Sequence, residues 1–581
     1  MPGQTGIRDA ADAMNISEFV KRLNRLRSSF GDSFAPEKLL LLHSIQDGSV
    51  RTSRDLVLLH SVLCFVRAFP DTRAHYCIAH AMLLTFEERV LRLPGAEKNR
   101  LWDTGIAGTP VHYAFSYETA VWLTRNAPRS VSIDWDEIED TSRLDEVLEQ
   151  LMLPVESDYF DSGSISSQEW LALASGNGKN TGFDWLMAQQ LNLHNERVQT
   201  PMYNEAEVSL TWNLGSTAFS KSHNVLSNSP VAARQDGMRR NPGKATAEIM
   251  RPLDTIRQVS ARNGTRLINV AIASLAVRHR ETFHFNYANS LEVHLADVGR
   301  GISIAIFGLQ PAARYPLECT MGYLILSNGV PIGYGGASAL FRQVNTGVNI
   351  FDEYRGSEAA WLWVQVMRVY HHLFGCTRFI ANPFQFGSEN DEALQSGAFW
   401  FYYRLGYRPV LAPVRKLAQR EATRTRRDKA YRCGLPVLRR LASCDMHLTL
   451  PGARAGELFH ERWIETSSLL ATRELAAAGG KTRAESERNI TAAVSRDLGL
   501  RSINRWSKQE QAAFRQIAPI VAAAKPATWS RNAKQSMRTL LRAKGSKSEA
   551  DYAHLLSKHQ TFLSALRTSC QTEEKRQKTM T

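Results

Sequence analysis

EYRGSEAAWLW, residues 353–363 of this 581-residue chain, joins an extended segment to a long apolar helix. The helix is expected from about Glu358 to Phe374. Its polar residues Glu358, Gln365, Arg368 and His372 trace one narrow stripe, and the remaining Ala, Leu, Trp, Val and Met face predicts deep packing on a sheet. A helix start presents unpaired backbone N–H groups and a partial positive charge, which suits an anion. Arg355, Gly356 and Ser357 ahead of it add a cation and small residues that let phosphate oxygens reach the amides. Glu358 complicates this reading. A carboxylate in the first turn favours the helix by about 0.3–1 kcal/mol. Facing a bound phosphate about 4 Å away, it would cost about 4 kcal/mol at an effective dielectric of about 20, roughly a thousandfold in affinity. Its place on the stripe with Gln365 and Arg368 predicts that it turns outward, leaving its amide usable.

Upstream, LEVHLADV, ISIAIFGL, MGYLILSNGVPIGYGGASALF and TGVNIF read as strands, with a short hairpin at SNG (327–329). Downstream come a further strand in CTRFIANPFQF, a helix in SENDEALQSGAFWFYYRLG, and YRPV. Ser388 and Asp391 stand at capping-box spacing, and Gly406 marks the helix stop. Antiparallel strands followed by strand–helix–strand–helix–strand give an α+β pattern. The glycines of GYGGAS (333–338) lack a dinucleotide fingerprint and predict a bulge or the close approach of a neighbour. AGGKT (478–482) has Leu475 where a phosphate loop needs its first glycine. His279, Glu281 and His284 are not in HExxH order, and no zinc spacing is present, so no metal is expected.

The rest of the chain divides by texture. Residues 1–100 read as a helical N-terminal region, 101–221 as mixed α/β, and 222–247 as a linker or long surface loop. The α+β unit runs from 265 to 412, and 413–581 as a basic, mainly helical C-terminal region. From Arg415 onward there are 33 Lys+Arg against 15 Asp+Glu, a net of +18 within a chain of +14, leaving residues 1–414 at −4. Such asymmetry predicts an anionic partner for the tail, nucleic acid or an acidic protein, with residues 415–432 the densest cluster. A solubilising helical surface explains it equally. Seven scattered cysteines without a CxxC pair fit reduced thiols in a cytoplasmic protein. No secretory signal or membrane-length apolar run is read.

Residues 290–412 resemble the GNAT superfamily of N-acetyltransferases. The family's turn, R/Q-x-x-G-x-G/A, is matched by Arg355 and Ala360, with Glu358 in place of the inner glycine. Its second motif, A-x-x-x-Y-x-x-x-G-F, is matched by Ala398, Tyr402, Gly406 and Tyr407. The resemblance implies a mixed sheet flanked by helices and acetyl-coenzyme A or another acyl-coenzyme A as co-substrate. It places the pyrophosphate at Arg355, Gly356, Ser357, Glu358, Ala359 and Ala360, and the pantetheine arm along the backbone of Ile350 and Phe351. Gln395 stands where the family often has an asparagine. Tyr402 is implied to protonate the leaving thiolate, a role suited to a phenol with an ordinary pKa near 10. The expected activity is N-acylation of an unidentified amine, with the proton acceptor unassigned. The alternative is a non-catalytic platform of the same shape whose basic tail holds RNA or an acidic protein.

Overall fold

The structure, a computed structural model, describes residues 5–161, 163–176, 181–215, 217–226, 231–234 and 236–580. Its strands are β1 (Pro110–Tyr113), β2 (Val131–Ile133), β3 (Leu210–Asn213), β4 (Thr255–Gln258), β5 (Ala288–Gly299), β6 (Ile302–Leu309), β7 (Cys319–Ser327), β8 (Val330–Leu340), β9 (Gln343–Thr346), β10 (Asn349–Ile350), β11 (Arg378–Ala381), β12 (Arg408–Pro409) and β13 (Met446–Thr449). The first three form a small sheet in the order β1-β3-β2. The others form one mixed sheet in the order β12-β13-β11-β9-β8-β7-β6-β5-β4, with β10 paired to β8. The chain is therefore α+β, a large mixed sheet with helices packed around it.

β7 and β8 are buried almost throughout. Their near-continuous apolar sequence is that of strands covered on both faces. Asn328 and Gly329 both adopt positive φ (48° and 77°), the conformation that a tight two-residue hairpin turn demands. The tip is itself buried: Ser327 Oγ donates to Ala68 O at 2.6 Å, and Asn328 Nδ2 donates to Ala68 O and Ala232 O, each at 3.1 Å.

All neighbouring strands of the large sheet are antiparallel except β9 and β11, which are parallel over Gln343–Asn345 and Arg378–Ile380. A parallel pair requires a crossover, and the helix Ala359–Phe374 supplies it. It begins at the turn singled out in the sequence and ends at Gly375 in the left-handed conformation. Its polar stripe is covered except at His372, which is exposed. Glu358, Gln365 and Arg368 are buried under the helix Ala245–Met250 and the residues after it. Gln365 Nε2 donates to Glu248 at 2.8 Å, and Arg368 Nε to Arg251 O at 2.8 Å. Amphipathicity located the stripe but not what covers it.

Three further expectations are corrected. The downstream helix is two pieces, Asp391–Ser396 and Ala398–Arg404, separated by Gly397 at φ 67°. Its cap is Asn390, which accepts from Ala393 N–H at 3.0 Å, rather than Ser388. The boundary at 412 cuts through the sheet, because β13 comes from the basic C-terminal region and inserts between β11 and β12. Residues 222–247 are irregular as expected, but Ser222, Asn224 and Arg234 are buried; 227–230 and 235 lie outside the described residues. The N-terminal helices Thr5–Leu26, Ala35–Gln46, Ser53–Ala68 and Arg73–Leu84 and the C-terminal helices from Arg462 to Met580 share one continuous apolar cluster with the sheet.

Candidate functional site

β10 continues β9 along β8 in unbroken register: Thr346 lies opposite Ala337, Asn349 opposite Tyr334 and Ile350 opposite Gly333. β11 follows only as far as Asn345. Beyond that rung the ladder between β9 and β11 ends, and this gap in the pairing is occupied at Gly347 by the Gln385 carboxamide. Phe351 N–H bonds Ile332 O at 3.0 Å, so it is spent on β8 and does not reach across the gap as expected. Strand alternation then turns the peptide groups of Val348 and Ile350 toward the gap.

Phe351 is buried, its ring stacked on Tyr334 at 5.5 Å with the Arg278 guanidinium 4.1 Å above it. In the following turn Asp352 is exposed, whereas Glu353 is buried between Lys221 (3.2 Å) and Arg278 (3.4 Å). Burial alone would raise the Glu353 carboxyl, but the two cations hold it well below its usual range. Arg355 is exposed and bridges Asp352 at 2.9 Å and Glu392 at 2.8 Å. Gly356 has φ 85° with open space where a Cβ would be, so the turn's conformation rather than crowding calls for glycine. Ser357 is buried, and its hydroxyl has no hydrogen-bond partner among the described residues.

Glu358 caps the helix and is 0% exposed. Its carboxylate lies 3.3 Å from Arg234 and 3.1 Å from Arg300, and accepts from Arg239 N–H at 2.8 Å. It therefore turns away from the open side of the turn, but into a cluster of cations rather than into water. Burial pushes Arg234 down to about 10, which still leaves it charged at neutral pH. Arg300 is also paired with the exposed Asp236 at 3.6 Å, so two guanidiniums face two carboxylates here, and the Glu358 charge is compensated by its own partners. Ala359 and Ala360 are half-buried. The first helical hydrogen bond runs from Leu362 N–H to Glu358 O, so the amides of Ala359, Ala360 and Trp361 have no partner within the helix.

Tyr402, on the helix Ala398–Arg404, is 3% exposed. Its ring meets Tyr407, Phe386 and Trp363 at 5.3, 6.0 and 6.4 Å. Its hydroxyl donates to Gln385 Oε1 at 3.5 Å. Burial raises the phenol well above its usual pKa, and the Val348 amide is the group that favours its ionised form. The Gln385 carboxamide lies directly against Gly347, where a Cβ would collide with it, and Tyr323 OH donates to Gly347 O at 2.5 Å. The phenol thus stands beside Val348, with Gln385 lodged next to it. Gln395 is exposed on Asp391–Ser396.

On the opposite face of the sheet lie groups that the sequence did not bring together. The His284 ring rests on Gly336, next to the residue opposite Thr346, and its Cβ rests on Gly322. These glycines admit a neighbour, one of the two outcomes expected for GYGGAS. Burial keeps His284 below its usual pKa, hence neutral. Beneath Asn345 and Ile380, the last paired rung, is a cavity of about 510 Å³ that His447, Asp445, Glu461 and Glu318 also line. Burial and the Glu461 charge push Asp445 up to about 6, while burial, Arg378 and His460 push His447 down to about 4. Isolated polar residues in unrelated segments carry no sequence signal for such a cluster; only the paired glycines hinted at His284.

The densest basic stretch forms the helix Ala412–Arg427 and the loop after it. At its centre Glu421 is buried and binds Arg420 (3.2 Å), Arg424 (3.5 Å) and Tyr431 OH (2.5 Å). Among the described residues no helix is long and apolar enough to cross a membrane. Comparisons with known protein families, with curated proteins and with solved structures find no match to this chain.

Proposed function

We propose that the chain is an acyl-coenzyme A-dependent N-acyltransferase with a GNAT-like domain at about residues 290–412. The observation that supports this reading is the parallel pair β9/β11, whose ladder stops after Asn345, with the Tyr402 hydroxyl beside the Val348 amide there and a helix start following on the same connection. The diphosphate of the donor would lie against the amides of Gly356–Ala360, where Arg234 and Arg300 compensate the Glu358 charge. The gap-facing amide of Ile350 would polarise the thioester carbonyl, while that of Val348 already bonds the Tyr402 hydroxyl. An amine attacks that carbonyl, the carbon–sulfur bond breaks, and Tyr402 gives its proton to the thiolate. The amine's proton passes to water.

A second reading has its own support. Gln385 fills the space at Gly347, and Arg355 is committed to Asp352 and Glu392. These contacts suit a non-catalytic domain of the same shape, holding RNA or an acidic protein through 415–432.

Calorimetric titration with acetyl-coenzyme A separates the two, using the natural chain and Ala360→Glu. That substitution is tolerated by a helix start but sets an unpaired carboxylate at the phosphate position. Micromolar binding by the natural chain, weakened at least tenfold in the variant, is expected. No binding by either sinks the acyltransferase and leaves the platform.

A further inference from the structure

We propose that a second cavity, of about 480 Å³, between β1, the start of the helix Tyr117–Asn126, the end of the helix Glu196–Glu205 and the helix Phe283–Asn286, binds an organic cation, the alkylammonium or guanidinium group of a lysine- or arginine-like ligand. This inference is independent of the acyltransferase reading.

The cavity carries buried polar atoms with nothing to bind. The Tyr203 side chain is 1% exposed and lines the cavity, and its hydroxyl has no partner among the described residues. Asn286 spends both amide hydrogens on Thr119 and Thr282 (3.1 and 2.8 Å), which fixes its orientation and leaves Oδ1 unpartnered. The His279 Nε2 atom is in the same condition. A buried polar atom without a partner costs about 1–3 kcal/mol, so three around one cavity indicate a ligand that satisfies them.

Charge and shape select the ligand. Glu118 and Glu281 line the cavity and form no ion pair among the described residues; Glu207 is already paired with Arg143 at 2.5 Å. Among the described lining residues Arg280 is the single guanidinium, so the carboxylates predominate and the lining repels anions. Glu118 Oε1 accepts from Tyr287 OH at 2.6 Å and Thr200 at 3.3 Å, and the carboxylate with Asn286 Oδ1 makes the lining one of acceptors, which calls for a ligand rich in N–H donors. The rim is aromatic: Tyr113 and Phe283 are 43% and 42% exposed, and Phe115 lies 5.3 Å from Tyr113. Electron-rich ring faces beside carboxylates are the setting in which an ammonium or guanidinium gains from cation–π contact.

The test is calorimetric titration of the full chain with Nα-acetyl-lysine methylamide and Nα-acetyl-arginine methylamide, with the norleucine analogue as the uncharged control. Saturable binding of at least one cation, without binding of the control, is expected. Phe283→Ala, at the exposed rim, should weaken it roughly threefold to thirtyfold, the scale of one cation–π contact. Tyr203→Phe, which removes one oxygen without opening a void, should weaken it as well, while Ala360→Glu should leave it unchanged. Absence of cation binding, equal binding of the norleucine analogue, or affinity unchanged in both cavity variants overturns the proposal.

Discussion

The turn at 353–360 and the gap at Gly347–Val348 are neighbours in the chain, yet opposite interactions hold them. At the turn two buried glutamates, Glu353 and Glu358, are each gripped by two cations, Lys221 and Arg278 for one and Arg234 and Arg300 for the other. At the gap the described residues form no buried ion pair; aromatic side chains surround Tyr402, beside one carboxamide. An ion cluster fails when a single partner is lost, because the remaining charge stays buried. An aromatic cluster loses packing in proportion to the atoms removed.

Substitutions test that contrast. Glu358→Ala should destabilise the fold by about 3–5 kcal/mol, the cost of leaving buried cations unpaired; urea unfolding reads it. A loss below about 1 kcal/mol would show the arginines escaping to water, and the two ends would then not differ as argued. Tyr402→Ala should cost about the same, about 3–5 kcal/mol, through lost ring packing. Tyr402→Phe keeps the ring and should cost about 1 kcal/mol, the net value of a hydrogen bond. Under the proposed activity it should nevertheless lower turnover with acetyl-coenzyme A at least tenfold. Turnover equal to that of the natural chain removes Tyr402 from the chemistry.

Acid and base should affect the two ends with opposite sign. Glu353 is held below its unfolded value near 4.3, so its contribution is present above that pH and lost as the pH falls through the folded value. Asp445, in the cavity beneath the gap, is raised to about 6 from an unfolded value near 3.9. It holds its proton more tightly when folded, so its contribution is full below about 4 and is lost as the pH rises through 6. Melting curves of Asp445→Asn should therefore decline less than those of the natural chain between pH 5 and 7. A steeper decline would reverse the sign assigned to the cavity. The smallest effect is expected at Arg355→Ala, below about 1 kcal/mol, since both its ion pairs are exposed.

How much of this was legible depended on whether the signal was local. The Asn328–Gly329 turn could be read because two consecutive positive-φ positions restrict the residues allowed. The start of the helix at 358–359 was accessible through the onset of its apolar spacing. β13 was not, because MHLT is four residues long within a stretch rich in Arg and Leu. The outward turn of Glu358 was read from a stripe whose polarity is visible in sequence, but whose cover, residues 237–252, is 100 positions or more away from most of it. Polar, turn-rich composition made 222–247 look like a connector, whereas its arginine at 234 completes the ion cluster. His284, Asp445 and His447 meet only because the sheet brings them together.

The buried hairpin tip has a consequence for autonomy. Ser327 and Asn328 bond the carbonyl of Ala68, Asn328 also bonds that of Ala232, and Glu353 and Glu358 take their cations partly from residues 221 and 234. Excising residues 250–450 would strip four buried polar side chains of partners at once. The large sheet is thus not a module that keeps its buried polar groups satisfied when cut at its ends; its folding depends on the N-terminal half.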